Sequence, residues 1–269
     1  MTESSESTDL SGRVLHPELS YAVTGAAMDV HSKLGPGWDE EAYHQAMVHA
    51  LQTRGIKAES KARGVLENHQ LTAHEFELDI MAENLIILEL KHLVDQFASS
   101  HYLQLINYLK YWNKDLGILL NFGLDRLQYK RMPHTPMAGT ITRVGPWDEL
   151  ECETSARCAS MLSSILEAHG LGYSANVYKG LFRTECEFRR IACPQPHVHL
   201  KYGDVSLGEK EAAAFLIDSR VLVSLTALGE ASSAVDLARM LSYLLQTGLD
   251  TGIIANFGKR KLQLRLVYS

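Results

Sequence analysis

Three residues of this sequence have the types and spacing for chemistry: Asp79, Glu89 and Lys91. Glu89 and Lys91 close the run Asn84-Leu85-Ile86-Ile87-Leu88-Glu89-Leu90-Lys91, which is apolar without a helical period and reads as a strand buried on both faces. Side chains two apart on a strand point the same way, so Glu89 and Lys91 share one face and Leu88 and Leu90 the other. Asp79 lies ten residues upstream in a second apolar stretch, Leu78-Asp79-Ile80-Met81, and the short polar Ala82-Glu83-Asn84 between them suits a hairpin. Laid side by side, the two strands bring the acids and the lysine together. Paired carboxylates supply hard oxygen ligands to an ion such as Mg²⁺, and a lysine beside them orients a water or holds a phosphate oxygen. Taken alone, the same three residues also read as a salt bridge at a strand end beside an ordinary turn aspartate.

The rest of the chain weighs against that plainer reading. The sequence repeats itself at a spacing of 135 residues. Gly35 and Gly37 recur as Gly170 and Gly172, Tyr43 as Tyr178, and Tyr108-Leu109 as Tyr243-Leu244. Gly117-Ile118-Leu119-Leu120-Asn121-Phe122-Gly123 returns as Gly252-Ile253-Ile254-Ala255-Asn256-Phe257-Gly258. Two related domains are expected, at 15–133 and 150–269, after a disordered polar tail (1–14) and joined by a linker (134–149) rich in Pro and Gly. At the same offset Asp79 becomes Ala214, Glu89 becomes Ser224 and Lys91 becomes Thr226, while the apolar strand survives as Val221-Leu222-Val223-Ser224-Leu225. Coupled structural charges would be expected to leave some charged replacement. Joint loss on a kept scaffold fits a catalytic copy paired with an inactive one.

The elements that position these groups follow from periodicity. Pro17 to Leu34 reads as a helix stopped by Gly35-Pro36-Gly37, and a second helix runs from about Trp38 to Arg54 with Asp39, Glu40 and Glu41 in its first turn. Of those acids Glu40 becomes Ala175 in the second copy, so it behaves like the strand trio. Strands are expected at about 57–65, 74–81 and 85–91. A helix follows from His101 to Trp112, with Leu105, Leu109 and Trp112 on a core stripe and His101, Gln104 and Tyr108 on the adjoining one. The second copy puts Asp236 and Arg239 at His101 and Gln104 and keeps only the tyrosine. Strands at about 116–121 and 126–131 close the unit.

Composition narrows the function. The 269 residues are 46% hydrophobic and 22% charged, ordinary for a soluble globular protein, and no run is long enough to span a membrane. Residues 1–149 carry 13 Lys and Arg against 20 Asp and Glu, which argues against a non-specific nucleic-acid binder with a basic face, though bound metal and a local groove offset such repulsion. The four cysteines form no C-x-x-C pair and read as free thiols of a cytoplasmic protein. Cys193, His197 and His199 lack a fourth ligand for zinc.

The first copy resembles the GxxExxY family of the PD-(D/E)XK nuclease superfamily over nearly all of residues 20–132. The naming motif stands as Gly37-Trp38-Asp39-Glu40-Glu41-Ala42-Tyr43, preceded by Val30-His31 and Leu34-Gly35-Pro36-Gly37. Leu78-Asp79-Ile80 corresponds to the aspartate motif, Leu88-Glu89-Leu90-Lys91 to E-x-K, and Gln104-Leu105-Ile106-Asn107-Tyr108 to the Q-x-x-x-Y of RecB-like nucleases. Asn121-Phe122-Gly123 and Lys130-Arg131 fit the ending. The second copy matches only the scaffold motifs.

The resemblance implies an α/β fold, a tandem of restriction-endonuclease-like domains, each a mixed central sheet flanked by helices. It implies metal-dependent cleavage of phosphodiester bonds in DNA or RNA. Asp79 and Glu89 would hold Mg²⁺ or Mn²⁺ with the Leu90 carbonyl as a further ligand, and Glu40 would complete a second-metal or outer position. Lys91 would position or deprotonate water and stabilise the transition state, while Gln104 and Tyr108 would line the groove. His31 and His101 read as packed or hydrogen-bonded histidines. Ala175, Ala214, Ser224, Thr226 and Arg239 mark the emptied site of a second copy expected to pack on the first as an intramolecular pseudo-dimer, in a chain that is itself a monomer. The rival reading is an acidic module that binds a metal or a partner without turnover.

Overall fold

The computed structural model describes residues 14–136, 139–147 and 152–269, so nearly all of the tail expected to be disordered lies outside the described residues. The chain divides into two compact units, one of Met1–Leu66 and Glu75–Pro136, the other of Glu67–His74 and Met137–Ser269. Glu67–His74 lies within the first copy in sequence and yet belongs to the second unit.

The first unit opens with α1 (Pro17–Leu34) and α2 (Glu40–Thr53). Proline at the start of α1 gives up no needed hydrogen bond, and Gly35, at φ +69°, ends the helix by donating its N–H to the His31 carbonyl. Asp39, expected inside the first turn of α2, is its N-cap instead, and its carboxylate accepts the Ala42 N–H at 2.8 Å.

Seven strands and one helix follow: β1 (Ala58–Ser60), β2 (Arg63–Asn68), β3 (Leu71–Glu77), β4 (Ile80–Ala82), β5 (Ile86–Lys91), α3 (Ser99–Tyr111), β6 (Leu116–Asn121) and β7 (Gln128–Pro133). The main sheet has the order β1-β4-β5-β6-β7, with β2 and β3 as a separate two-stranded sheet. Only β5 and β6 in the main sheet run parallel, which is why α3 must cross between them. The long strands expected at 57–65 and 74–81 are each broken. Lys61 adopts φ +51° and donates its N–H to the Asp79 carbonyl, and Leu78 donates to the Ala62 carbonyl, so the ladder steps sideways at Asp79. A non-glycine left-handed residue carries no obvious sequence signal.

β5 is covered on both faces, as its unbroken apolar run requires. Leu88 and Leu90 join Val23, Val30, Tyr43, Met47 and Leu51 of α1 and α2 in one core. The opposite face meets α3, where Leu105 packs so closely over Gly117 that a Cβ there would lie 2.7 Å from its Cδ1. Burying each such aliphatic side chain contributes about 1.5–3 kcal/mol.

The second unit repeats the plan with β8 (Thr140–Val144), α4 (Glu153–His169), α5 (Ala175–Phe188), β9 (His197–Tyr202), β10 (Val205–Glu211), β11 (Phe215–Ile217), β12 (Val221–Ala227), α6 (Ala234–Thr247), β13 (Thr251–Phe257) and β14 (Lys261–Tyr268). Its sheet runs β11-β12-β13-β14-β8. The stretch taken as linker is therefore partly strand: Thr140-Ile141-Thr142-Arg143-Val144, rich in β-branched residues, pairs parallel with β14. Where β1 stands in copy one, copy two has Pro194 and Pro196. Leu216 of β11 still donates its N–H to the Pro194 carbonyl at 2.8 Å, but proline has no N–H to return, and among the described residues no strand is laid beside β11 on that edge. Both sheets have five strands, but the fifth comes from opposite edges.

Candidate active site

A tight turn sets the register of the site. Glu83 and Asn84 both take positive φ (+50° and +55°), and Leu85 N–H closes onto the Ala82 carbonyl at 2.9 Å. That is a type I′ hairpin turn, whose twist matches the strands it joins. It pairs Ile80 with Leu88 and so brings Asp79 beside Glu89 and Leu90. The Asp79 carboxylate accepts the Leu90 N–H at 2.7 Å.

Glu89 is 1% exposed. Its Oε1 accepts a hydrogen bond from Lys91 Nζ at 2.6 Å, while its Oε2 is buried with no hydrogen-bond partner among the described residues. Burial pushes the Glu89 carboxyl up to about 8; the Asp79 charge adds to the push and Lys91 opposes it. Burial also raises Asp79, against the Leu90 N–H and the Lys91 charge. Glu40 lies at the exposed start of α2, yet partial desolvation raises its carboxyl too, with Lys91 opposing and Asp79 adding. Desolvation disfavours the Lys91 ammonium, but Glu89, Glu40 and Asp79 together outweigh it and hold its pKa above the ordinary value. Lys91 is therefore a cation that donates. In this arrangement its Nζ is a hydrogen-bond donor to Glu89 Oε1.

This donor set fits a divalent cation. A buried carboxylate oxygen without a partner is costly, and a second acid beside it makes the cost worse. A hard cation bound between Asp79 and Glu89 would relieve both. Among the described residues no three His, Cys, Asp or Glu side chains stand gathered as a finished cage, and Cys193, His197 and His199 form none. Lys91 and the Leu90 N–H engage one oxygen of each acid, Glu89 Oε1 and Asp79 Oδ2, while Glu89 Oε2 has no hydrogen-bond partner among the described residues.

Gln104 and Tyr108 flank the acids from α3. Gln104 Nε2 donates to the Tyr108 hydroxyl at 2.9 Å. Burial, with the Glu89 charge next, pushes the phenol up to about 12, so it stays protonated. Behind it Phe76, Tyr111 and Trp112 form an aromatic cluster, with Phe76 and Tyr111 ring centroids 4.8 Å apart and Tyr108 and Trp112 5.8 Å apart. The sequence reading missed this cluster. Its signal was the same joint loss: Phe76, Tyr111 and Trp112 become Glu211, Gln246 and Thr247 at the repeat offset.

Two further histidines were missed. His44 Nε2 lies 3.1 Å from the Asp79 carbonyl and 3.2 Å from Ser60 Oγ, so it braces the backbone of the aspartate. His92 is among the groups whose charge bears on Glu40. Their counterparts are Lys179 and Ala227. His31 lies 2.9 Å from the Leu124 carbonyl, and His101 Nδ1 accepts the Ala98 N–H at 3.0 Å. Asp236, the counterpart of His101, caps α6 with Ser233, so that position serves the helix start in both copies.

In the second unit Ala214 packs with Leu222, Met240, Leu244, Ile254 and Val267, so an apolar core residue stands where copy one has its aspartate. Ser224 is buried, and Thr226 Oγ1 donates to Asn256 Oδ1 at 3.1 Å. Ala175 begins α5, and Arg239 pairs with Asp236 at 3.3 Å on the surface. The scaffold motifs keep their contacts. Tyr43 Oη donates to the Gly35 carbonyl and Tyr178 Oη to the Gly170 carbonyl, each at 2.7 Å. Tyr43 stacks on Phe122 at 4.8 Å and Tyr178 on Phe257 at 3.8 Å.

The first unit thus holds a mixed sheet with an aspartate at a strand break and E-x-K on the adjoining strand. The family model of the PD-(D/E)XK nuclease superfamily matches residues 17–132 and again 153–267, and the chain belongs to that superfamily. Searches of curated proteins and of solved structures returned no match.

Proposed function

We propose that the first copy is a Mg²⁺- or Mn²⁺-dependent nuclease of the GxxExxY branch, hydrolysing phosphodiester bonds of DNA or RNA, and that the second copy is catalytically inert. The observation that carries this reading is the buried Glu89, with one oxygen unpartnered, set between Asp79 and Lys91 and lost together with both in the second copy.

Asp79 and Glu89 would hold the metal, with the Leu90 carbonyl and Glu40 as further oxygen donors; when bound, the ion supplies a Lewis acid and lowers the pKa of a water. Lys91, kept protonated, places its ammonium where a scissile phosphate would gather charge. Tyr108, held by Gln104 and neutral, offers a hydroxyl toward the acids without adding negative charge. His44 and the Leu90 N–H fix Asp79 so that little reorganisation is needed. Copy two acts as a structural or substrate-positioning partner in a single chain that forms an intramolecular pseudo-dimer. The four cysteines, free in this structure, support a cytoplasmic setting. Among the described residues no helix is long and apolar enough to cross a membrane.

A panel of single-stranded, duplex and branched DNA and RNA, with Mg²⁺ or Mn²⁺, tests the proposal. Cleavage by the wild type, lost in Glu89→Gln, supports it. Metal binding without cleavage of any substrate favours a non-enzymatic acidic module.

A further inference from the structure

The second unit holds a structure that duplication of the scaffold does not account for. The tip of the β2–β3 hairpin, Glu67–His74, is part of that unit and lies on α5. Asn68, 5% exposed, donates from Nδ2 to Thr184 Oγ1 at 3.2 Å and to Glu185 Oε2 at 3.3 Å, and its Oδ1 lies 3.0 Å from His169 Nε2. His69 Nε2 lies 2.7 Å from Glu185 Oε2, and its ring stacks on Phe188 at 3.7 Å. Arg189 Nε donates to the other Glu185 oxygen at 2.7 Å. Glu185 itself is 1% exposed, so both its oxygens are spoken for within a closed contact. Ala73 comes so near Gly180 that a Cβ there would sit 2.0 Å from its carbonyl oxygen, and backbone cannot swing aside as a side-chain tip can.

These receiving residues are peculiar to copy two. At the repeat offset Gly180, Thr184, Glu185 and Phe188 stand where copy one has Gln45, His49, Ala50 and Thr53. The pattern is the mirror of the lost acids: copy two lacks the site and alone carries a seat for a hairpin. That hairpin leads directly to Asp79, five residues beyond His74. Its two strands meet at the Leu78 N–H to Ala62 carbonyl bond (3.1 Å) and the Lys61 N–H to Asp79 carbonyl bond (2.9 Å).

We infer that the second copy is a clamp on the β2–β3 hairpin, with Asn68, His69, Gly180 and Glu185 as positioning residues that hold Asp79 in place for the site of the first. The inference rests on the nuclease reading for its purpose but not for its geometry. A hairpin whose tip is pinned cannot roll about its base, and the base is where the Asp79 carboxylate must stay on the Leu90 N–H. Groups that hydrogen-bond a metal ligand directly typically change metal affinity by about 10–100-fold when removed, and residues that act on Asp79 through the hairpin stand one step further out, so the low end of that range is expected.

The test uses the full chain with Gly180→Gln, which installs the copy-one residue, with Glu185→Gln, and with Glu185→Asp as the conservative control. His69→Ala stands in if either of the first two fails to fold. Amide hydrogen exchange at 67–74 reports docking, exchange at Leu90 reports the Asp79 contact, and Mn²⁺ titration by spin resonance reports the site. We expect release of 67–74, loss of Leu90 protection by about tenfold and a Mn²⁺ Kd raised by about tenfold, with Glu185→Asp closer to wild type. Released tips with Leu90 protection and Mn²⁺ affinity unchanged overturn the inference. So does a tip that stays protected in Gly180→Gln, since the close approach would then not be what holds it. If the wild type binds no Mn²⁺, the nuclease reading falls, and Leu90 exchange alone decides the clamp.

Discussion

The surroundings of Asp79 and of Ala214 are the same architecture with opposite contents. Both lie just before a three-residue strand that pairs antiparallel with a long buried one, β4 with β5 and β11 with β12. Around Asp79 the long strand carries a buried acid with an unpartnered oxygen; around Ala214 it carries Ser224 in a small apolar core. What the two share is elsewhere: the Tyr-to-Gly carbonyl latch, the Tyr–Phe stack and the asparagine that reaches into the loop after the long strand. Asn121 Oδ1 accepts the Leu93 N–H at 2.8 Å, and Asn256 Nδ2 donates to the Gly229 carbonyl at 3.4 Å. In this chain the residues that the two copies share hold the scaffold together, and the residues proposed for chemistry are a separate set found in the first copy alone.

The sharpest way to break that comparison is to make copy one resemble copy two. Asp79→Ala or Glu89→Ser should lower metal-dependent cleavage by roughly 10²–10³-fold or more, with the far-ultraviolet dichroism unchanged. Cleavage at the wild-type rate by either variant would remove the site assignment. In the same variants Mn²⁺ binding should disappear from the whole chain, because Ala214, Ser224 and Thr226 offer no carboxylate for a second site.

Next in size is the pH dependence. A metal ligand must lose its proton, so with Glu89 raised to about 8 the apparent Mn²⁺ affinity should climb between about pH 6 and 8 and level off above. Stability of the metal-free protein should run the other way. Glu89 has a folded pKa above its unfolded value of 4.5, so the folded state binds the extra proton. Its contribution is complete below about 4.5 and is lost as pH rises through about 8, and the raised Asp79 and Glu40 carboxyls add in the same direction. Chemical denaturation from pH 5 to 8.5 should show this decline in the wild type and a flatter profile in Glu89→Gln. Equal slopes would mean that Glu89 is not the buried acid described.

Much of this site was legible in the sequence. Strand alternation put Glu89 and Lys91 on one face, the turn at Glu83-Asn84 implied pairing with Asp79, and the repeat separated the shared scaffold residues from those peculiar to the first copy. What escaped were features that no local pattern encodes. The break at Lys61 depends on a left-handed lysine, and a Pro- and Gly-marked stretch hid β8 because turn residues surround a short β-branched run. His44 was invisible because it acts on a backbone carbonyl 35 positions away. The departure of Glu67–His74 into the second unit turns on Gly180 and Glu185, whose meaning appears only once their partner is in view.

A smaller effect probes copy two. Ala214→Asp restores the aspartate of copy one where that residue is 2% exposed and packed among aliphatic side chains. Thr226 gives it no cation where Lys91 would stand, so the new carboxyl is buried without a counter-charge. It should cost about 1–3 kcal/mol, readable as a shifted denaturation midpoint. Adding Ser224→Glu and Thr226→Lys should not recover the loss in full, because Glu40 and the aromatic cluster are missing as well. Full recovery with Mn²⁺ binding would show that the three residues alone separate the copies.

The smallest effect tests what the copies share. Tyr43→Phe and Tyr178→Phe each delete one hydroxyl that donates to a glycine carbonyl at 2.7 Å and accepts a backbone N–H, from Trp38 at 3.3 Å and from Tyr173 at 3.4 Å. Both rings are fully buried and stacked on a phenylalanine, so phenylalanine keeps the packing and removes only the hydrogen bonds. Each change should cost about 1 kcal/mol, and the two costs should agree within about 0.5 kcal/mol because the geometry is the same. Glu40 begins the helix that carries Tyr43, whereas no acid remains beside Tyr178. If the tyrosine were part of the chemistry, Tyr43→Phe would lower cleavage beyond its stability cost while Tyr178→Phe would not. A scaffold latch predicts the opposite: matched losses of stability in urea titrations, and cleavage by both variants close to that of the wild type at a temperature where each is fully folded.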